Sequence, residues 1–256
     1  LMRILATFLA LIVLVLGGPP PAARAQLMVN ELIGFGSGGA EPPAATFLQC
    51  STGLATGSNP YTISSVNVGT ATADRTTVVF VGAEDGATAF TFDGMTIGGD
   101  TATELVDDGG DQTGSSGFYA MANPAGTSEN IVITASEGIQ SGSSGSIYVC
   151  LWSVTGLASS TTTTVSPLAL NRGSNNNSIA LNSDVAAQAI VMAGCYNNNS
   201  SQTATWSGLT EREDVAVSTG AMHAADYTAT AAETNRAMSV QMTGSNPGSC
   251  SLVVMR

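Results

Sequence analysis

The chain has 256 residues, with 19 acidic side chains against seven basic ones and a net charge of −12. Every basic residue is arginine, lysine is absent, and His223 is the single histidine. An acidic chain without basic clusters argues against nucleic acid or an anionic membrane surface as a partner. One histidine makes a catalytic triad or a histidine metal site improbable.

The first segment reads as an export leader. Met2 and Arg3 precede an apolar run over 4–16, then Gly17 to Pro21, then Ala23-Arg24-Ala25 before Gln26. This is the layout of a secretory signal peptide over 1–25, with an apolar run too short to span a bilayer. Met28 offers an alternative start that would discard the same segment. Residues 26–45, with Ile33-Gly34-Phe35-Gly36-Ser37-Gly38-Gly39 and Pro42-Pro43, cannot hold a helix and are poor as a strand. Two readings stand for them: an arm laid on a neighbouring subunit, or a leader without fixed structure.

From residue 46 onward the period is that of strands. Strands are expected over 61–68, 76–83, 87–92, 117–122, 130–135 and 146–154. They resume over 178–181, 186–195, 203–206, 208–211, 222–228, 237–242 and 250–255. Val78-Val79-Phe80-Val81 and Ile190-Val191-Met192 are apolar on successive residues, as in central strands covered on both faces. Many short strands without a long amphipathic helix predict an all-β, two-sheet antiparallel sandwich, jelly-roll-like, as a single domain over 46–256. A weak internal duplication relates about 60–156 to about 177–256. Asp74 with the 77–83 strand matches Asp184 with 187–193, and Phe92-Asp93-Gly94 matches Trp206-Ser207-Gly208. Two such halves suit one shared core. Residues 161–164 and 171–177 read as a polar loop crossing between them.

Cys50, Cys150, Cys195 and Cys250 are too far apart in sequence for a compact metal knot. In an exported chain at least one disulfide is expected; in a cytoplasmically assembled particle, four thiols.

The best candidate for ion chemistry is the acidic loop Glu104-Leu105-Val106-Asp107-Asp108-Gly109-Gly110-Asp111. Its carboxylates at Glu104, Asp107, Asp108 and Asp111 are hard oxygen ligands of the kind Ca²⁺ prefers, although the spacing is not that of the helical calcium loop. Glu84-Asp85-Gly86 is a poorer candidate. Solvated turns use the same residues more often. No other cofactor is implied.

No nucleophile elbow, phosphate-cradling loop or zinc-protease motif is present, so no catalytic residue is assigned. His223, in Ala221-Met222-His223-Ala224-Ala225, reads as a hydrogen-bonded strand residue. Trp206 and Tyr196, flanking the polar loop 197–202, are the best placed of the few aromatic residues to stack on a sugar ring. A carboxylate pair for glycoside hydrolysis is a matter of spatial separation and is invisible in sequence.

A resemblance adds to this reading. The succession Tyr61-Thr62-Ile63-Ser64-Ser65-Val66-Asn67-Val68-Gly69-Thr70-Ala71, then Ala73-Asp74-Arg75 with the 78–81 strand, Met95-Thr96-Ile97-Gly98-Gly99, Thr101-Ala102-Thr103-Glu104 and Val154-Thr155-Gly156-Leu157 resembles a group of uncharacterised β-sandwich proteins of marine bacteriophages and viral metagenomes. Their genes lie near virion structural genes. The resemblance spans most of 60–256 and rests on strand and turn signatures. It implies a virion surface or appendage component and carries over no catalytic residue; a cleavable leader departs from it.

The expected function is therefore a non-enzymatic structural or surface module of a virion or extracellular assembly, of decoration, tail or fibre type. Its partners would be other structural subunits, and its place the virion surface or the cell exterior. A secreted carbohydrate-binding or adhesion domain that recognises cell-surface glycan is the alternative. A glycoside hydrolase comes third.

Overall fold

The computed structural model describes residues 42–51, 59–84, 89–108, 114–122, 126–139, 146–157, 162–163, 178–197, 199–217, 220–243 and 248–256. In the first half of the chain the strands are β1 (Ala44–Ser51), β2 (Tyr61–Asn67), β3 (Thr76–Glu84), β4 (Phe92–Ile97), β5 (Asp100–Thr101), β6 (Thr103–Asp107), β7 (Ser115–Ala122), β8 (Ser128–Ala135) and β9 (Ser146–Thr155). In the second they are β10 (Thr162–Thr163), β11 (Ser178–Ala180), β12 (Ser183–Val185), β13 (Ile190–Asn197), β14 (Ala204–Ser207), β15 (Thr210–Ala216), β16 (Ala221–Thr228), β17 (Glu233–Arg236), β18 (Ser239–Met242) and β19 (Gly248–Met255). Among the described residues there is no helix, and every strand pairing is antiparallel.

The apolar runs explain how these strands stack. In β3, Val79 and Val81 point into one core with Tyr61, Ile63, Ile131 and Ile133 of β2 and β8. Val78 and Phe80 point the other way, into a second core with Ile190, Met192, Met222 and Val253. Strand β13 does the same: Ile190 and Met192 enter that second core, while Val191, Ala193 and Cys195 enter a third with Ile179, Val240 and Met242. A strand buried on both faces admits a polar residue only where it finds a hydrogen-bond partner, hence the unbroken runs. The outer strands, buried on one face, alternate: in β2, Tyr61, Ile63 and Val66 are buried while Thr62, Ser64 and Asn67 are exposed.

The all-β, antiparallel, sandwich-like architecture agrees with the sequence reading, but the layers exceed the expected two. A four-stranded sheet (β2-β8-β4-β5) covers the five-stranded sheet β1-β9-β3-β7-β6. That sheet packs on a second five-stranded sheet, β10-β19-β13-β16-β15, which the smaller sheets β11-β18-β14 and β12-β17 cover. Among the described residues the result is four layers and three cores, so each half has a core of its own besides the one the halves share. With the five strands of each sheet ranked by their place in the chain, the two five-stranded sheets follow the same order (first, fifth, second, fourth, third), with β1, β9, β3, β7 and β6 matching β10, β19, β13, β16 and β15. Residues 42–256 form one compact unit.

Several boundaries differ from the sequence reading. The 26–45 arm gives up Ala44 and Ala45, which pair with Thr155 and Val154 as the start of β1. Of the strand expected over 87–92, residues 87–88 lie outside the described residues and 89–91 are not in a sheet; β4 begins at Phe92, and a bulge between Phe92 and Gly94 lets it continue to Ile97. The polar crossing over 161–164 contains β10, paired with Val254 and Met255; residues 171–177 lie outside the described residues, as do 1–41. Strands β6 and β17, rich in charged and polar side chains, were not expected.

Polar groups tie the middle layers together. The Trp152 indole donates to Asp226 Oδ2 at 2.9 Å, and Arg212 grips the same carboxylate through Nε at 2.9 Å and Nη2 at 2.6 Å. Asp226 is 2% exposed. Removing it strands an indole donor in an apolar core and leaves the guanidinium without its acceptor, so Asp226→Ala is expected to destabilise by about 3 kcal/mol. Asp226→Asn, which keeps an acceptor for Trp152, is expected to recover part of that loss in urea denaturation.

Candidate functional site

The acidic stretch becomes strand β6 and the turn after it. Asp107 Oδ2 accepts the Phe92 N–H at 3.1 Å, and its Oδ1 faces the Ser115 hydroxyl at 3.4 Å. Asp108 accepts from the hydroxyls of Ser115 at 3.0 Å and Ser116 at 3.2 Å, and from Ser249 of the opposite sheet. Ser116 also meets Ser251 at 2.7 Å. Glu104 receives the Tyr119 hydroxyl at 3.4 Å, which also donates to Phe92 O at 3.0 Å. Burial, with the Glu104, Asp107 and Asp93 carboxylates nearby, pushes the Tyr119 phenol far above its usual range. It is therefore a fixed donor. Asp111 lies outside the described residues, as do the side chains of Glu84 and Asp85. Among the described residues no group of three or more histidine, cysteine, aspartate or glutamate side chains has the arrangement to hold a metal ion.

The second half repeats part of this arrangement. Asp214 Oδ2, in β15, accepts the Ala204 N–H that opens β14 at 2.9 Å, as Asp107 in β6 does for the first residue of β4. Its Oδ1 lies 2.7 Å from His223 Nδ1, and Asn197 Nδ2 lies 2.8 Å from His223 Nε2. A carboxylate only accepts and an amide NH₂ only donates, so the imidazole carries its proton on Nδ1 and accepts at Nε2. His223 is fully buried and both ring nitrogens are engaged, as befits the hydrogen-bonded strand residue the sequence suggested. A general base needs a free lone pair facing substrate.

The two sugar-stacking candidates part company. Tyr196 is fully buried in the middle core, stacked on Tyr148 with ring centroids 5.9 Å apart. It has no face open to a ligand, because β13 is covered on both sides. Trp206 is partly exposed, packed against the third core opposite Val240. Two shallow grooves occur elsewhere, at about 430 and 450 Å³. One is lined by Asp184, Val185, Glu233 and Arg256, the other by Thr76, Asp100, Leu105 and Leu157, and Met255 borders both. Neither includes Trp206, Tyr196 or His223.

The four cysteines form two bridges, Cys50–Cys150 and Cys195–Cys250, each between facing residues of neighbouring strands. The four-thiol alternative is thereby set aside. The bridges occupy different places in the two halves: one joins β1 to β9, the other β13 to β19, whose counterpart β3–β9 has Phe80 facing Cys150 instead.

Several structural residues escaped the sequence reading. Glu213 Oε2 caps the Cys50 N–H of edge strand β1 at 2.7 Å, from the other five-stranded sheet. Arg236 lies 3.6 Å over the Tyr227 ring and binds Glu233, which also receives the Tyr227 hydroxyl at 2.7 Å. That hydroxyl, then Arg236, holds the Glu233 carboxyl below its ordinary value. Asp226 alone left a signal, being an acid inside the apolar run 221–227, where it must have a partner.

Asp74 provides a pH-dependent contact. The Gly156 N–H, which donates at 3.0 Å, together with Thr72 and its own backbone N–H, lowers its carboxyl below the ordinary 3.8. A depressed carboxylate contributes stability above the ordinary value, and that contribution vanishes as pH falls through the lowered one. Asp74→Asn is therefore expected to remove one component of the acid-induced loss of stability, read as urea midpoints from neutral pH to about pH 2.

No protein-family model, curated protein or solved structure matches the chain.

Proposed function

We propose that the chain is a non-enzymatic structural module at the surface of an extracellular assembly, either a virion or a cell-surface structure, with other structural subunits as its partners. One observation carries this reading: the buried and half-buried ionisable groups are engaged in structural hydrogen bonds, some between layers and, around His223, within one sheet. Asp108, Glu213 and Asp226 each accept a hydrogen bond from the opposite five-stranded sheet, and His223 is bracketed by Asp214 and Asn197. Catalytic sites do the reverse and keep such groups poised toward a cleft.

Two bridges favour an oxidising compartment. This supports export, the leader reading of 1–25 and an extracellular place. The matching strand orders, with Asp107 and Asp214 in matching contacts, favour an origin by duplication of one sandwich unit. Polar, lysine-free outer sheets suit a surface that stays in water.

Mass spectrometry of purified particles and cell envelopes from the source tests this reading. The chain is expected there at the stoichiometry of a structural subunit, with its mature N-terminus at Gln26. Its absence from both fractions would overturn the proposal.

A further inference from the structure

We propose that Asn199 is an acceptor for an N-linked glycan; this rests on the reading that the chain is exported. Asn199-Ser200-Ser201 has the Asn-x-Ser pattern with a residue other than proline in the middle. It lies in the turn between β13 and β14, with Asn199 partly exposed and both serines exposed.

The turn sorts the atoms of the Asn199 side chain. Its Oδ1 accepts the Ser201 N–H at 3.0 Å and the Ser201 hydroxyl at 2.7 Å. The Asn199 N–H is held by Asn197 Oδ1 at 3.0 Å, and its carbonyl accepts the Gln202 N–H at 3.1 Å. The backbone groups and the amide oxygen are thus engaged, while Nδ2 has no partner among the described residues. Two donors on the oxygen draw electron density from the amide and make the Nδ2 protons more acidic, which is what a poorly nucleophilic amide needs. All these bonds span three residues or fewer, so the turn forms without the rest of the fold and is available during export.

The co-reactant is a lipid-linked oligosaccharide pyrophosphate, supplied with its transferase by the exporting cell. Nδ2 attacks the anomeric carbon, the new C–N bond forms, and the bond from that carbon to the pyrophosphate oxygen breaks. The lipid pyrophosphate leaves with the electron pair, and one Nδ2 proton passes to a base of the transferase. Neighbouring Asn197 has no hydroxyl residue two positions on, and it is buried against His223. Asn198-Asn199-Ser200 and Asn176-Asn177-Ser178 also fit the pattern, so the three acceptors need to be told apart.

The test uses the full chain with its own leader, expressed in a host whose secretory pathway carries an N-oligosaccharyltransferase. Intact mass and peptide mapping are read before and after enzymatic deglycosylation in ¹⁸O-water, which marks a modified asparagine as labelled aspartate. The expected result is label at Asn199, loss of the glycan on the peptide that carries residue 199 in Asn199→Gln and in Ser201→Ala whatever the state of Asn176, and retention in Ser200→Ala. Secreted chain processed at Gln26 with unlabelled Asn199 would overturn the inference alone, as would glycan that depends on Ser200 and not on Ser201. Chain kept inside the cell with its leader intact would overturn the export reading, and the inference with it.

Discussion

Gly194→Ala is expected to destabilise the protein by about 3 kcal/mol, the upper end of what overpacking a core costs. The two five-stranded sheets approach closely where β3 faces β13. A Cβ on Gly194 would stand 2.3 to 2.6 Å from three atoms of the Phe80 ring. That ring cannot retreat, because it is fully buried and packs on Phe118 with centroids 5.3 Å apart. One pair of residues further along, a Cβ on Gly82 would stand 2.6 Å from Tyr196 Cβ. Neither glycine has a positive φ, so the argument is one of space alone. Each sheet supplies a large ring and the other the gap it fills, a complementarity that fixes how the layers register. Urea denaturation measures the cost, and Phe80→Ala in the Gly194→Ala background supplies the check. Residues in direct contact couple, so the double variant is expected to lose at least about 1 kcal/mol less than the sum of the singles.

Replacing Cys50 and Cys150 together by alanine is expected to lower Tm by roughly 10 °C. The bridge closes a span of 100 residues, worth about 4.7 kcal/mol on the chain-entropy account; Cys195–Cys250, spanning 55, is worth about 4.2 on the same account. For a chain of this size each kcal/mol moves Tm by about 2–4 °C. Cys150, Cys195 and Cys250 are fully buried. The Cys195–Cys250 bridge should consequently resist a reducing agent in the native protein until denaturant is added, and scanning calorimetry of the parent and of the Cys50→Ala/Cys150→Ala protein gives the Tm difference directly.

Much of the fold was legible because double burial leaves a mark. The runs at 78–81 and 190–192 are apolar at every position since each faces two cores, and they located the central strands. Their layering was not legible: nothing local separates a sheet covered by one partner from one covered by two, and the four-layer stack depends on Phe80 meeting Gly194 from 114 positions away in the chain. Strand β6 was read as a loop because its Asp107 suits a turn, whereas here the carboxylate reaches across to the first N–H of β4. Tyr196 looked accessible beside a polar loop, yet β13 keeps its burial to its last residue. The cysteines announced bridges but not partners, since pairing depends on which strands become neighbours.

Native-state hydrogen exchange tests the central claim most directly: that two sandwiches joined face to face unfold as one unit. Amides of 78–81 in β3 and 190–195 in β13 are predicted to be the slowest to exchange, with the same opening free energy, equal to that of global unfolding. Opening free energies that differ between the two strands, with one half exchanging fully while the other stays protected, would contradict it.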